Sequence, residues 1–491
     1  MASDRDIIQP MRCRPVGRRQ FLRAALLVGS AGVLGACAPA PAAPQVVKET
    51  QVVEQTVTVK ETVVVKEPAQ AAGTTVIRFS VWGDVPDRAV YDQIADRFNE
   101  AHADIKAIPE QYLDAYYEKI QTNFAGGNSA DLLYFQGWSW QPYADKGNLL
   151  IPLDDYIKKD NWIAPWPDLQ VHNNYSKWHG QTFMQPADSG AVVMFYNKAL
   201  FEKRGVPYPK DGWTYEDFQS AVEKLSFDEG GVRYYGYAQA GGWNGQMTRS
   251  LVWMRKDGQI EFDQIVEPKE ARFNQPEIAA ALQYTICDVI EKNFCPSPSV
   301  IAGGGVTIAT GRVAMTMEGP WFLAQMYGKD AAVEGGVPFD VVMPPVGKAG
   351  FCDTELSTSG HVITKQCKNP DAAWLLLKFI GSDDGQQLVA NGGRQPGTPD
   401  MMTKHWVPIV GKTYNFTRPE VFVQAMSEKR AHGVIVGGAQ CNFDAFSTPE
   451  GGLGVAWDAM LGLQKTAQEA MDELNPKIQK MIDDYWKKKQ G

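Results

Sequence analysis

The stretch IATGRVAMTMEGPW, residues 308–321, decides the fold of this chain. Its first glycine, Gly311, is predicted to follow a helix end, because glycine relieves the left-handed conformation common there. Residues 312–317 form a short apolar run and predict a strand, and the proline after it suits the start of a new helix. Open α/β sheets bind ligands where a strand ends and a helix begins. Glu318 and Trp321 are therefore predicted to face a crevice; a core position for Trp321 and a solvated turn for Glu318 are the alternatives.

Length and composition describe a soluble globular protein with more than one structural unit. A chain of 491 residues with 44% hydrophobic and 21% charged residues is too long for one average domain. The first 36 residues carry six Arg and two Asp, so their removal takes the formal net charge from −9 to −13. This acidic balance disfavours nucleic acid as a partner.

The N-terminus, residues 1–36, is predicted to be a signal peptide. The pair Arg18-Arg19 precedes a run of small and aliphatic residues that is too short for a membrane span. The R-R-x-F-L spacing resembles a twin-arginine export signal. The sequence LGAC before residue 38 resembles a lipoprotein processing box, which makes Cys37 the predicted lipidated residue; an unmodified thiol is the alternative. Translation from Met1 or from Met11 gives the same signal.

Residues 37–74 form a predicted low-complexity tether. An Ala/Pro-rich start is followed by a degenerate six-residue repeat, VVKETQ, VVEQTV, TVKETV and VVKEP. The repeat contains no aromatic residue and no glycine, so it cannot build a core. A spacer is the favoured interpretation, and a partner-binding segment is the alternative.

The cysteines have no metal-ligand spacing, and neither a metal nor a cofactor is expected. In an exported chain they can form disulfides. The pairs that lie near each other in sequence are Cys287 with Cys295 and Cys352 with Cys367, which leaves Cys441 over. The sequence leaves the pairing open.

The first folded segment alternates strands and helices. Strands are predicted over residues 76–82, 105–108 and 130–135, and helices over residues 89–101 and 114–124. This β-α-β-α-β succession predicts a mainly parallel sheet. Asp84 and Trp138 then follow strand ends, where ligands bind.

The order of motifs resembles the extracellular solute-binding proteins of ABC importers, the family that includes maltose- and oligosaccharide-binding proteins. The resemblance covers most of residues 76–485 and rests on eight motifs in order. They are Trp82 after the first strand, GNSAD at 127–131, GNLLIPLD at 147–154, FYNK at 195–198, WTYEDF at 213–218, residues 311–321, SGHVI at 359–363 and NPDAAW at 369–374.

The resemblance implies an α/β fold of the type II periplasmic-binding-protein kind, with a ligand cleft between two discontinuous lobes joined by hinge strands. The chain is expected to cross between lobes near Asp188, near Thr358 and at residues 396–401. Ligand that bridges both lobes would favour the closed state. The implied lobes are residues 75–187 plus 359–400 and residues 188–358 plus 401–491.

The resemblance also implies which side chains bind ligand. Trp321 matches the Gly-Pro-Trp turn that presents an indole to a sugar, and aromatic faces pack on the C–H face of sugar rings. Glu318 and Asp84 are candidate acceptors for hydroxyl groups. The remaining candidates are Trp82, Trp138 and Trp243 for stacking, Asp188 as hinge residue or ligand contact, and Arg394 as cleft residue or structural ion pair.

The predicted function is that of a substrate-binding lipoprotein that binds a mono- or oligosaccharide and delivers it to a permease by hinge closure. The protein is expected to be a monomer, exported and lipid-anchored at the cell membrane, facing the periplasm or the cell exterior. Within the same fold, a polyamine or a glycerol phosphate is the alternative ligand. A secreted carbohydrate-active enzyme is the alternative class: a surplus of loop carboxylates and the twin-arginine signal favour it, whereas no nucleophile elbow or phosphate loop is found in the sequence. A structural envelope protein is the third possibility.

Overall fold

The computed structural model divides the chain into two units, Met1–Pro68 and Ala69–Gly491. The structure describes residues 73–490 apart from 83–84, 113–114, 146–148, 163–174, 240–242, 329–330, 351–354, 428–431 and 434–451. The predicted signal peptide, tether and lipidation site at Cys37 lie outside the described residues, as do Asp84, Cys352 and Cys441.

The first half of the described chain alternates strands and helices. Its elements are β1 (Thr75–Val81), α1 (Val85–Ala101), β2 (Ile105–Gln111), α2 (Tyr116–Ala125), β3 (Leu132–Gln136), α3 (Gln141–Asp145), β4 (Leu150–Ile151), α4 (Asp154–Lys159), β5 (Lys177–Trp178), β6 (Gln181–Thr182), β7 (Met184–Ala191), β8 (Val193–Asn197), α5 (Lys198–Arg204), α6 (Tyr215–Lys224), β9 (Phe227–Glu229) and β10 (Val232–Tyr234).

The second half is mainly helical. Its elements are α7 (Trp243–Met254), α8 (Pro276–Leu282), a π-helical turn (Gln283–Asp288), α9 (Val289–Glu291), α10 (Pro298–Ala302), β11 (Met315–Glu318), a 3₁₀ turn (Pro320–Phe322), α11 (Leu323–Met326), β12 (Phe339–Val342), β13 (Glu355–Thr364), α12 (Pro370–Gly381), α13 (Asp383–Asn391), α14 (Pro399–Met401), a second π-helical turn (Met402–Trp406), α15 (Val407–Thr413), α16 (Glu420–Ser427), β14 (His432–Gly433), α17 (Leu453–Leu461) and α18 (Ala467–Gln490).

The larger sheet has a parallel part and an antiparallel part. β1 pairs in parallel with both β2 and β3, which confirms the parallel sheet predicted from the β-α-β-α-β succession. β13 runs antiparallel between β3 and β7. The carboxyl ends of the three parallel strands therefore meet at one edge, where open α/β sheets bind ligands.

A smaller sheet is connected to the larger one through a continuous strand segment. In it, β8 lies between β11 and β12, and both pairings are antiparallel. Only Val192 separates β7 from β8, and its N–H donates to the carbonyl of Glu355 at 2.9 Å. The N–H of Ser189 donates to the carbonyl of Gln395 at 3.0 Å. Three passes of the chain thus lie side by side between the two sheets.

These three passes lie close to the crossings expected from the family resemblance. The division into lobes, residues 75–187 plus 359–400 and 188–358 plus 401–491, stays a prediction. The α/β class itself is confirmed.

The segment around Gly311 shows one local correction. No helix ends directly before Gly311, since residues 303–310 are non-helical and the hydroxyl of Thr310 accepts from the N–H of Thr307 at 3.0 Å to close a turn. Gly311 itself has φ of +75°, the left-handed conformation predicted for it. The strand after it begins at Met315 rather than Arg312, whose guanidinium donates to the carbonyl of Arg233.

The C-terminal helix α18 packs through one apolar face. Leu474, Ile478 and Ile482 recur at helical spacing and are buried, whereas Met481 is only partly buried. Among the helices in the described part of the chain, none combines the length and the apolar character of a membrane span.

Candidate functional site

Trp321 lies on a tight turn directly after β11. Gly319 is in an extended conformation, and Pro320 begins a 3₁₀ turn as its fixed φ favours. The side chain of Trp321 remains 49% exposed, which is unusual for an indole because burial of its large apolar surface is favourable. The turn therefore holds half of an aromatic ring open to solvent at the end of a strand.

The buried part of the Trp321 ring lies on two glycine backbones. A Cβ atom built on Gly190 of β7 would lie 2.6 Å from Cζ3 of the indole, and one built on Gly319 would lie 2.2 Å from Cη2. Real side chains cannot approach so closely, so both positions need glycine for this ring placement. Trp321 is thereby seated against the strand that passes between the two sheets.

A buried charge cluster also contacts Trp321. Glu318 Oε2 accepts from the indole Nε1 and from Nη2 of Arg249, each at 3.0 Å. Nη1 of Arg249 donates to Glu355 at 3.1 Å, and the guanidinium carbon lies 5.0 Å from the indole centroid. Burial alone would lower the pKa of Arg249, but the two carboxylates raise it above its usual value. The cluster therefore contains one cation, Arg249, and two anions, Glu318 and Glu355.

A second ion pair lies where β7 leaves the larger sheet. Asp188 Oδ2 accepts from Nε of Arg394 and from the hydroxyl of Tyr134, each at 2.9 Å. Asp188 is buried, whereas the Arg394 side chain is 21% exposed. Burial, and then the Asp188 charge, raise the pKa of Tyr134 well above its usual value. The structural ion pair considered for Arg394 is therefore present, and it joins two of the three passes.

Comparison with known proteins decides the family. The sequence model of the bacterial extracellular solute-binding proteins matches residues 82–387, which is more than half of the chain. The chain belongs to this family. A curated binding protein of Brucella abortus strain 2308 shares 23% sequence identity with this chain over 286 residues, which are 55% of this chain. The chain spans 63% of the length of that relative.

Solved structures show the same fold. The ABC substrate-binding protein Lmo0181 of Listeria monocytogenes, solved with cycloalternan, has a TM-score of 0.69 and 21% identity over 84% of this chain and 99% of its own. The cyclic α-maltosyl-1,6-maltose binding protein of Arthrobacter globiformis has a TM-score of 0.68 and 18% identity over 84% and 100% of the two chains. The GacH receptor of Streptomyces glaucescens has a TM-score of 0.65 and 19% identity over 84% and 99%. This chain therefore has the two-lobed periplasmic-binding-protein fold.

Trp82 lies in an aromatic group at the sheet edge of the solute-binding protein. Its ring centroid is 5.1 Å from that of Tyr116 and 5.2 Å from that of Tyr117. Trp82 and Tyr117 are partly buried, and the Tyr117 hydroxyl lies 3.0 Å from Ser139 Oγ. This group can offer a second aromatic surface, at a carboxyl end of the parallel strands.

The other predicted tryptophans differ in placement. Trp138 is only 7% exposed, and its ring lies 6.1 Å from that of Tyr175, so it packs in the core in this conformation rather than offering an open face. Trp243 is the first residue of α7, but its side chain lies outside the described residues. Within the described chain, no ring contact joins Trp82 or Trp138 to Trp321. The structure thus brings Trp321 together with Glu318, and leaves the binding roles of all the predicted residues as predictions.

Sequence reasoning missed the residues that fix Trp321, namely Gly190, Arg249 and Glu355. One signal was present: Arg249 directly precedes the apolar run SLVWM on a helix, where a buried charge needs a partner. The partner carboxylates lie more than sixty residues away in sequence, so the chain alone could not identify them.

No metal centre is present among the residues that the structure describes: no group of His, Cys, Asp and Glu there is suited to one. Cys287, Cys295 and Cys367 are buried free thiols, so the near pair Cys287–Cys295 is not bonded. Burial raises the pKa of Cys287 to about 11 and that of Cys295 to about 12. These thiols are therefore poor nucleophiles and poor metal ligands at neutral pH.

Proposed function

We propose that this protein is the substrate-binding lipoprotein of an ABC importer and that it binds a mono- or oligosaccharide in the cleft between its lobes. The observation that carries the proposal is Trp321, a half-exposed indole held in place by Glu318 and by two glycine backbones. A sugar ring packs its C–H face on such an indole and gives its hydroxyl groups to nearby carboxylates. The names of the structural relatives, which include binders of cycloalternan and of a cyclic maltosyl-maltose, support the same ligand class.

The charges near Trp321 distinguish a sugar from the alternative ligands. A glycerol phosphate needs cationic side chains that are available for it, whereas Arg249 is engaged with two carboxylates. A polyamine needs a cluster of carboxylates, whereas Glu318 and Asp188 are each paired with an arginine. A neutral ring with hydroxyl donors fits this arrangement better than either ion.

Delivery follows from the way the lobes are joined. β7 of the larger sheet continues into β8 of the smaller one beside β13 and Gln395, and ligand contacts on both sides would favour a closed state over an open one. The closed form would then dock on a separate permease. The mechanism requires no bond cleavage, so we propose that the protein is not an enzyme. A secreted glycosidase is the alternative, and product release from a bound oligosaccharide would identify it.

The location is proposed from the N-terminal sequence. A twin-arginine signal followed by a lipidated Cys37 would place the protein outside the membrane, with residues 37–74 as the spacer. Mass spectrometry of the mature protein should find a diacylglyceryl group on Cys37. Release of a Cys37→Ser variant from the membrane is the matching functional result.

A thermal-shift screen tests the ligand class. The protein is heated with maltotriose, cycloalternan, glycerol 3-phosphate or spermidine over a range of concentrations. A ligand that binds the native state alone stabilises it by RT ln(1 + [L]/Kd), so the midpoint should rise with concentration for a carbohydrate. A shift with spermidine or glycerol phosphate alone would replace the sugar by that ligand.

A further inference from the structure

Arg249 contacts both Trp321 and Glu318, the two candidate binding residues of this turn. It lies on α7, with only 11% of its side chain exposed, and joins Glu318 at the end of β11 to Glu355 at the start of β13. Its guanidinium also lies against the indole of Trp321, at 5.0 Å from the centroid. A planar guanidinium donates along fixed directions and packs on aromatic rings at the same time, which an ammonium group cannot do equally well.

Two contacts of Arg249, with Glu318 and with the indole itself, restrain Trp321. The indole Nε1 and Arg249 Nη2 donate to the same oxygen, Oε2 of Glu318, both at 3.0 Å. The Glu318 carboxylate therefore accepts from both the indole and the guanidinium, and the guanidinium also packs against the Trp321 indole. Within the described residues, the other oxygen, Oε1, makes no hydrogen bond or ion pair. Glu318 Oε1 and the exposed part of the Trp321 indole thus belong to two side chains that are hydrogen-bonded to each other.

We infer that Arg249 is the positioning residue of this binding site: it fixes the Trp321 indole and the Glu318 carboxylate as one rigid subsite for a ring that stacks and donates a hydroxyl to Oε1. The inference rests on the proposed function for its ligand and on the observed contacts for its geometry. A site fixed before binding loses less conformational freedom when ligand arrives, and so binds more tightly. Glu355 has a supporting role, because it holds the second arm of the guanidinium from the first residue of β13.

The test uses two arginines, Arg249 on α7 and Arg255 directly after it. Arg249→Lys keeps the positive charge but loses the planar guanidinium, whose two terminal nitrogens donate to Glu318 and Glu355. The matched control is Arg255→Lys, because Arg255 follows directly after α7, is 1% exposed and forms an ion pair with Glu261 that does not involve Trp321. The intact protein is used in each case, and thermal midpoints show whether each variant is folded. Glu355→Gln is the second variant, since it removes one charge and leaves the contact between Arg249 and Glu318.

The first readout needs no ligand. The protein has fourteen tryptophans, so each background is compared with its own Trp321→Phe version, and the difference spectrum isolates the emission of one indole. In the Arg249→Lys protein this emission should shift to longer wavelength and be quenched faster by acrylamide. It should be unchanged in the Arg255→Lys protein. An unchanged difference spectrum in both Arg249→Lys and Glu355→Gln would overturn the inference.

The second readout is affinity for maltotriose and cycloalternan. Arg249→Lys should weaken binding roughly tenfold, and Arg249→Lys combined with Trp321→Ala should be little worse than Trp321→Ala alone, since the two act as a unit. Equal affinity of the wild-type and Arg249→Lys proteins, with binding still dependent on Trp321, would overturn the positioning role. If neither probe binds while the emission of Trp321 still depends on Arg249, the proposed ligand fails and the positioning role stands.

Discussion

Gly190 and Trp321 are in direct contact: a Cβ atom on Gly190 would lie 2.6 Å from Cζ3 of the indole and 2.9 Å from Oγ of Ser357. Gly190 lies on β7, three residues before the chain enters the smaller sheet at Val193, and pairs with Ser357 of β13. The most exposed part of the candidate site therefore lies on the connection between the two sheets. A change in this connection should be transmitted to the indole.

Replacement of Gly190 by alanine should displace Trp321. The half-exposed indole can move more easily than the paired strands, so we expect weaker carbohydrate binding, by roughly tenfold, together with a loss of about 1–3 kcal/mol in unfolding free energy from overpacking. Calorimetric titration and urea unfolding measure the two effects. Gly126→Ala is the control, because its Cβ would lie 3.4 Å from the carbonyl of Thr122, an ordinary contact. A Gly190→Ala protein equal to wild type in both measurements would show that the ring is not seated on this strand.

The Asp188–Arg394 pair should stabilise the connection between the sheets. Asp188→Asn leaves a guanidinium that is four-fifths buried without its anionic partner, so the unfolding free energy should fall by roughly 3 kcal/mol. Urea unfolding measures the change. Glu100→Gln removes one partner of an exposed pair with Arg97, whose side chains are 69% and 64% exposed, and should change stability by less than about 1 kcal/mol. Equal effects of the two substitutions would contradict a special role of the buried pair.

His361 should make stability depend on pH. Its imidazole is fully buried among Phe79, Tyr91 and Tyr134, and burial lowers its pKa from 6.5 to about 3. The unfolded chain binds a proton below pH 6.5 while the folded chain does not, so stability from this residue is present above pH 6.5 and is lost progressively as the pH falls towards 3.

The slope attributable to His361 should approach about 1.4 kcal/mol per pH unit between pH 6 and pH 4. Urea unfolding at several pH values should show this part of the slope disappear in His361→Gln and remain in His102→Gln. A wild-type and a His361→Gln protein with the same pH dependence would show that the buried imidazole is protonated in the folded state.

The sequence predicted the elements with strong local signals. The motif WTYEDF contains a capping box at Thr214 and Asp217, and the motif NPDAAW begins α12 at Pro370, because turn and cap chemistry depends on residues a few positions apart. The parallel β1, β2 and β3 followed from alternation of strand and helix patterns. The helix expected before Gly311 was wrong, since two threonine side chains compete with the helix for the backbone.

The geometry of the candidate site depended on contacts that no local pattern contains. Glu318 and Trp321 are three residues apart and were predicted together, whereas Arg249 reaches them only because α7 packs near β13. Trp138 follows the third strand as expected, yet it packs against Tyr175 rather than standing open. Sequence position identified the edge of the sheet, and tertiary packing decided which side chains stay exposed there.

The end of α18 should contribute to stability through Lys489. Its ammonium group bonds Glu267 and lies 3.0 Å from the hydroxyl of Tyr485 and 3.2 Å from Nε2 of His179, at the tip of the β5–β6 hairpin. Burial alone would raise the pKa of Glu267, but Lys489 and Tyr485 hold it below its usual value. The group therefore joins the C-terminal helix to a hairpin that leads into β7.

Lys489→Ala should lower the unfolding free energy by roughly 1–2 kcal/mol, because it leaves Glu267 partly buried without its cation. Lys480→Ala, which removes an exposed pair with Asp484, should cost less than about 0.5 kcal/mol beyond any change in helix propensity. Chemical unfolding of both variants checks this difference. Equal stability of the two would show that the contact with the hairpin is weak in solution.

The most direct test of the central claim is calorimetric titration of the purified protein with carbohydrates, together with analysis of the sugar recovered afterwards. We predict saturable binding of one ligand per chain, recovery of the sugar unchanged, and at least a tenfold loss of affinity in a folded Trp321→Ala variant. Binding that is the same in wild type and Trp321→Ala would contradict the site. A cleaved sugar, or the absence of binding to every carbohydrate, would contradict the proposed function.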